Sequence, residues 1–407
     1  MKALYLSYFG LREPLVQTQV LPYLKELAGD GVAVSLLTFE PALRRSFPAS
    51  ERQRWQEALE ADGIRWRALA YHKRPTLPAT LYDIAVGAMM VISMIRRDKI
   101  DLLHARGHIP AAMALAAKRL AGGRLLFDIR GFMPEEYTDG GMWPAGGFLY
   151  RLTKAVERHL LAGSDGFVVL TEKAKSILFP GCHDSDGRGR PIEVIPCCVD
   201  LKRFGNGSHA SREEIRRRLG IDQRPVLAYV GSLGTWYMLD EMADFFAAAQ
   251  RRIGSYALVL TQSDPALMAD RLRARGLDDS DFVIARVEPD EIPMYLHGAD
   301  AALSFIKPCY SKLSSSPTKI AEYLASGLPV VCNTGVGDVD DAIVGSNAGV
   351  VVREFDAVTY DAALSQLEIL RKDSSLADRC RHAAELQFDL QKIGSVRYKR
   401  LYRRLIA

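Results

Sequence analysis

Several motifs that would fix an activity by themselves are missing from this chain. It has no Gly-x-Gly-x-x-Gly fingerprint and no P-loop, and no Asp-x-Asp metal motif stands out. The first two cradle phosphates in dinucleotide oxidoreductases and kinases. Both readings lose their main support, and a metal-dependent transferase gains none. Among the cysteines (Cys182, Cys197, Cys198, Cys309, Cys332, Cys380) there is no Cys-x-x-Cys pair. Several lie in apolar runs, which argues against zinc and for a reduced, cytosolic protein. The longest apolar run, residues 84–95 (IAVGAMMVISMI), is too short to span a bilayer and is expected to form a buried helix. The opening MKALYLSYFG is too short for a signal h-region and reads as a strand. No low-complexity segment or short-period repeat occurs.

At 407 residues the chain exceeds one ordinary core, so two domains are expected. The 48% hydrophobic and 25% charged content is that of a globular protein. A net charge of +4 permits an anionic ligand or membrane surface without demanding nucleic acid. The basic pairs Arg44-Arg45, Arg96-Arg97 and Arg403-Arg404 would help peripheral contact with anionic lipid, although such pairs on their own are more often solvated surface.

Short apolar strands alternate with amphipathic helices. Strands are expected at 3–8, 33–38, 102–105, 125–129, 166–170 and 193–195, with helices at 19–28, 111–120 and 149–162. The pattern restarts with strands at 226–230, 257–261, 282–285 and 301–304, and helices at 241–251, 265–275 and 291–297. Such alternation implies a doubly wound parallel sheet in each half. Residues 196–211 read as the hinge, and the basic tail 376–406 as helical and packing back. In open α/β sheets ligands bind beyond the strand C-termini, so function is sought in the loops there.

Residues 314–333 (SSSPTKIAEYLASGLPVVCN) carry the most information. Ser316 reads as an N-cap and Pro317 as the first helical residue, with Gly327 and Pro329 ending the helix after three turns before the strand at Val330. Lys319 in the first turn opposes the helix macrodipole, which makes sense if an anion sits over that end. Glu322 follows at i+3 on the same face, while Ile320, Tyr323 and Leu324 form the apolar face. Phosphates at the mouth and ribose hydroxyls on the carboxylate would suit a sugar nucleotide. An ordinary surface Lys–Glu pair is the competing reading. Asp338, Asp340 and Asp341 form a nearby acidic loop that either touches a sugar or is simply solvated.

In the first half, loaded loops follow the strands: Gly10 and Gln17; His104 and Arg106; Arg130 beside Gly131; Glu135 and Glu136. Arginine offers planar recognition of phosphate. Arg130 is the favoured cation for a departing diphosphate. His104 is either functional or a satisfied strand-end histidine, and Glu135 or Glu136 either grips acceptor hydroxyls or is a cap.

The chain resembles the GT-B glycosyltransferases of family 4, the retaining transferases common in bacterial polysaccharide pathways. The resemblance rests on residues 14–24 (PLVQTQVLPYL), 127–131, 194–204 (VIPCCVDLKRF), 229–233 and 316–331 (SPTKIAEYLASGLPVV). It implies two Rossmann-like domains facing a cleft: 1–204, completed by the C-terminal helix 388–407 crossing back, for the acceptor, and 205–387 for the nucleotide sugar. Glu322 matches the second of the family's two signature Glu residues, which binds ribose. The first falls at Ser314, the family's usual Arg and Lys fall at Ser232 and Tyr237, and its catalytic His falls at Arg130. Donor-binding residues are then Gly231, Ser232, Ser315, Ser316, Thr318, Lys319 and Glu322, with His104 and Arg130 catalytic. Gly10, Gln17, Arg106 and Glu135 are acceptor-side candidates. Base selection would fall to backbone near Arg286 and Val287.

The implied reaction transfers a sugar from a nucleotide-diphosphate donor to a sugar or lipid-linked sugar acceptor, with no metal or cofactor. The implied location is the cytoplasm, or the inner face of the membrane. An epimerase on the same fold, a degenerate binding module and, less so, an NAD-dependent oxidoreductase are the alternatives.

Overall fold

The computed structural model describes residues 1–41, 43, 47–205, 209–221 and 223–406, so the Arg44-Arg45 pair and part of the expected hinge lie outside the described residues. The chain forms two compact units, Met1–Pro196 with Leu390–Ala407, and Cys197–Asp389. These boundaries differ from the expected 204/205 and 387/388 divisions: Cys197 and Val199 already belong to the second unit, where the Val199 N–H donates to the Phe388 carbonyl at 2.8 Å.

The first unit holds a seven-stranded sheet of β1 (Lys2–Ser7), β2 (Ala33–Pro41), β3 (Ile64–Tyr71), β4 (Leu102–Arg106), β5 (Arg124–Asp128), β6 (Gly166–Val169) and β7 (Ile192–Val194). Its spatial order is β3-β2-β1-β4-β5-β6-β7, parallel throughout. The second unit holds β8 (Val226–Val230), β9 (Tyr256–Leu260), β10 (Phe282–Ala285), β11 (Ala301–Ser304), β12 (Val330–Asn333) and β13 (Gly349–Val352), in the order β10-β9-β8-β11-β12-β13. Strands such as β8 (VLAYV) and β9 (YALVL) are buried along their whole length because helices cover both faces. The strand order reverses between β1 and β4 in one sheet and between β8 and β11 in the other, which marks the ligand-binding edges.

Most expected elements occur within a few residues of their expected bounds. The edge strand β3 is the main one outside the expectation: Arg65 and Arg67 alternate on its exposed side and break the apolar run. The other edge strand, β13, is only four residues long. The helix expected at 19–28 is two, Pro14–Gln19 and Leu21–Gly29, interrupted at Val20. Residues 84–95 belong to a longer helix, Thr76–Asp98, of 23 residues. By length and composition that helix could cross a membrane. One face of it is nonetheless core: buried Asp83 accepts from the Tyr8 hydroxyl at 2.8 Å and the His72 N–H at 3.0 Å. Within the expected buried run Gly87, Ala88, Val91, Met94 and Ile95 are buried, while Leu77, Leu81, Tyr82 and Met89 leave the longer helix exposed along its other face.

The tail forms helix Leu376–Phe388, a π-helical turn Leu390–Ser395 and helix Val396–Ile406. The last helix packs its buried Tyr398, Leu401, Tyr402 and Leu405 into the first unit, with contacts to β4 and β7.

Candidate functional site

In the second unit the chain leaves β8 at Gly231 and β11 at Phe305, the two strands that flank the reversal of strand order. After β11, a 3-10 turn (Tyr310–Ser314) leads into helix Thr318–Ala325. This helix starts one residue later than the sequence suggests: Pro317 is its N-cap. The Ser316 hydroxyl is no cap but accepts the Cys197 N–H at 3.0 Å. The helix runs for eight residues, short of the expected three turns, and Gly327 at φ +77° closes it as expected. The Gly327 N–H donates to the Leu324 carbonyl and the Leu328 N–H to the Tyr323 carbonyl, a Schellman closure. Ile320, Tyr323 and Leu324 are buried as their spacing implies. The Tyr323 hydroxyl accepts the Val230 N–H at 2.8 Å and so ties the helix to the end of β8.

That tether brings Lys319 over the end of β8. Lys319 is 7% exposed, and its Nζ lies 4.1 Å from the ring centres of both Tyr229 and Tyr237. Among the described residues Nζ has no hydrogen-bond partner. Aromatic faces attract a cation but neutralise it only in part. Burial pulls the ammonium down to about 7, opposed by the nearby Glu322 charge. Gly231 makes room for it: at φ +141°, a Cβ there would stand 2.7 Å from Nζ. Glu322 is partly buried; burial pushes its carboxyl up, against the pull of Arg203 and Lys319. A second lysine, the buried Lys312, lies 3.9 Å from the centre of the Trp236 ring.

The remaining expected donor residues surround this pair. Ser232 is exposed, and its carbonyl accepts the Tyr229 hydroxyl at 2.7 Å. The Ser315 N–H donates to the Lys312 carbonyl, and Thr318 opens the helix, partly exposed. Ser314 is buried with its hydroxyl on the Ser311 carbonyl. Tyr229 and Tyr237 against Lys319, and Trp236 against Lys312, are contacts not anticipated from the sequence. Tyr237 belongs to no motif of its own; it supplies an aromatic wall to Lys319.

In the first unit the strand-end residues converge on Asp128, a fully buried carboxylate at the end of β5. His104 Nε2 lies 3.3 Å from its Oδ2, Arg106 Nη1 3.8 Å away and Arg130 Nη1 3.5 Å from Oδ1. The Tyr398 hydroxyl donates to Oδ2 at 3.2 Å. Burial alone would raise this carboxyl, but Arg130, His104 and Arg106 together hold it well below the usual range. His104 is 1% exposed and its Nδ1 meets the Tyr402 hydroxyl at 2.7 Å. Burial lowers the imidazole, against the pull of Asp128. Both nitrogens of His104 are thus engaged inside the unit, as the satisfied strand-end reading has it. Arg130 keeps 13% exposure and is the member of the group nearest solvent.

Gly10, Gln17 and Glu135 are not part of that cluster. Gly10 presses on buried Glu40, whose Oε2 would be 2.3 Å from a Cβ at Gly10. Gln17 Nε2 donates to the Leu11 carbonyl at 3.3 Å. Glu135 pairs with Lys154 at 3.0 Å and accepts the Tyr150 hydroxyl at 3.1 Å. Among the described residues no group of three or more His, Cys, Asp or Glu side chains is arranged to hold a metal ion.

Comparison with known proteins accords with this geometry. The family model described as Glycosyl transferase 4-like domain matches residues 16–198, and that described as Glycosyl transferases group 1 matches residues 211–387. The chain is 22% identical over 306 residues to a GDP-mannose-dependent alpha-(1-6)-phosphatidylinositol monomannoside mannosyltransferase of Mycobacterium tuberculosis, covering 73% of this chain and 72% of that protein. Among solved structures it resembles HepE of Anabaena in complex with UDP, with TM-score 0.72, 15% identity and coverage of 99% and 100% of the two chains. It also resembles sucrose-phosphate synthase of Thermosynechococcus elongatus, with TM-score 0.74, 16% identity and coverage of 100% and 99%.

Proposed function

The chain belongs to the GT-B glycosyltransferases of the family 4 type, and on that premise we propose that it moves a hexose from a nucleotide-diphosphate donor to an acceptor hydroxyl with retention of anomeric configuration. The observation that carries the donor assignment is Lys319: a buried Nζ between two tyrosine rings, without a hydrogen-bond partner among the described residues, beside Gly231 and with Glu322 one helical turn deeper. Burying an ammonium without an anion is costly. A diphosphate brought over the first turn of helix Thr318–Ala325 would supply that anion and meet the helix N–H groups as well. Glu322 would then accept the ribose hydroxyls.

Chemistry of this kind rests on positioning and charge stabilisation. The leaving phosphate would help to deprotonate the acceptor, so no protein nucleophile is required. Arg130 is assigned to the charge that develops on the leaving group, and His104, through Asp128, to holding Arg130 in place. Gly10, Gln17, Arg106 and Glu135 remain the proposed acceptor-side residues. The proposed acceptor is a sugar or lipid-linked sugar of a bacterial surface glycoconjugate, met on the cytoplasmic side. Peripheral lipid contact would use the exposed Leu77, Leu81, Tyr82 and Met89 with the basic Arg96 and Arg97 at the end of the same helix.

The test is a thermal-shift screen with UDP, GDP, ADP and CMP on the wild type, Lys319→Ala and Glu322→Ala. One diphosphate is expected to stabilise the wild type, with both substitutions weakening the shift. Equal shifts in all three proteins would remove the site assignment.

A further inference from the structure

Asp300 lies immediately before β11, at the N-terminal edge of the second sheet and so at the opposite edge from Lys319. Three guanidinium groups converge on it. Arg212 Nη2 is 2.8 Å and Arg371 Nη2 2.9 Å from Oδ1, and Arg216 Nη1 is 3.3 Å from Oδ2. Oδ2 also accepts the Val226 N–H at 2.8 Å. One arginine would neutralise this carboxylate.

Two of the three also hold backbone in place. Arg212 donates to the His297 and Ala299 carbonyls, and Arg216 to those of Gly298 and Arg224. They cap the chain after helix Ile292–His297. Arg371 caps nothing: among the described residues its one hydrogen bond goes to the Asp300 oxygen that Arg212 already holds. Arg371 lines a cavity of about 600 Å³ together with Arg212, Arg216 and Arg217, with Glu213 and Asp300 as the acids in the lining among the described residues. Counting Glu214, which pairs with Arg217, four cations stand against three carboxylates and leave an excess of one positive charge among the described residues. The groups repel one another: burial first, then Arg212 and Arg371, lowers the Arg216 pKa, with Asp300 opposing.

We propose that this cavity is a second anion site, separate from the donor site, that takes a phosphate dianion, either free or as a phosphomonoester. The planar fork of Arg371, which among the described residues gives one hydrogen bond to Asp300, suits bidentate phosphate recognition. A phosphate group carries about −1.5 to −2 charges near neutral pH, opposite in sign to this lining. The cavity is of the size that small ligands fill.

The test is calorimetric titration at constant ionic strength with inorganic phosphate, a sugar monophosphate and chloride as control. It is run on the wild type, Lys319→Ala, Arg371→Ala and Arg217→Ala. Inorganic phosphate or the sugar phosphate is expected to bind the wild type and Lys319→Ala alike, at least tenfold more weakly to Arg371→Ala, and a few-fold more weakly to Arg217→Ala. Tighter binding of the sugar phosphate than of inorganic phosphate identifies a phosphomonoester as the ligand, and equal binding identifies the free ion. Arg217 is exposed and among the described residues pairs only with Glu214, so its variant tests the site's charge without disturbing the buried network. Loss of binding in Lys319→Ala would place the ion in the donor site and overturn the proposal. Binding to Arg371→Ala at wild-type strength, or no binding beyond the chloride control, would overturn it as well.

Discussion

The Tyr237 ring centre stands 4.1 Å from Lys319 Nζ. Tyr237 belongs to the loop after β8 and Lys319 to the helix between β11 and β12, so only the reversal of strand order brings them together. The contact holds desolvated a lysine that would otherwise reach solvent.

Donor affinity should therefore depend on pH in a defined direction. With its pKa lowered to about 7, Lys319 in the empty site is charged below that pH and neutral above it. A diphosphate favours the charged form, so binding above pH 7 must take up a proton. Diphosphate affinity is expected to be flat below pH 7 and to fall by up to about tenfold per pH unit above it. Titration calorimetry at pH 8 in buffers of different ionisation enthalpy measures the uptake directly. A heat independent of buffer would contradict it.

Lys319→Met should stabilise the empty protein while removing its response to a diphosphate. Between about 7 and the ordinary lysine value of 10.5 the unfolded chain binds the proton that the folded one lacks. The wild type therefore gains stability as pH rises through that window. Methionine removes the buried amine and this pH dependence, with an expected gain of about 2 kcal/mol at pH 7. Urea unfolding at pH 7 and pH 10 checks both effects.

Gly231→Ala places a methyl group 2.7 Å from Lys319 Nζ, at a φ of +141° that alanine rarely adopts. Donor KM is expected to rise more than tenfold, and stability to fall by about 1–3 kcal/mol. Gly234→Ala, with nothing within 4 Å of its added Cβ, is the matched control and should change little.

Arg130→Ala should leave diphosphate binding within about twofold while reducing kcat by at least a hundredfold, the scale of losing one charge-stabilising group. Wild-type turnover would remove Arg130 from the catalytic assignment. Tyr402→Phe leaves His104 Nδ1 without its buried partner. It is expected to cost about 1–3 kcal/mol and to lower kcat without changing diphosphate binding, because it acts through His104 and Asp128 on Arg130.

The fold was legible because its signals are local. Runs such as 226–230, 282–285 and 301–304 are short, apolar and bounded by helical segments, and the observed strands fall on the same residues. The charged edge strand β3 was hidden because its alternating arginines satisfy solvent rather than a core. The site was legible in part. Lys319 and Glu322 stand out by their position on one helix face, and Arg106, His104 and Arg130 by their place at strand ends. The aromatic walls of Lys319 and the Asp128 hub carry no motif, and Tyr398 and Tyr402 lie far along the chain from the strands they brace.

The sequence by itself determined two α/β units, the helix that bears Lys319 and its apolar face, because periodicity, proline and glycine act within a few residues. Tertiary structure decided what surrounds the charges. Whether Lys319 is solvated or buried against Tyr229 and Tyr237, and whether His104 faces solvent or the C-terminal helix, depends on strand order and packing. Desolvation is set by neighbours remote in sequence, and it is desolvation that pulls the Lys319 ammonium down to about 7.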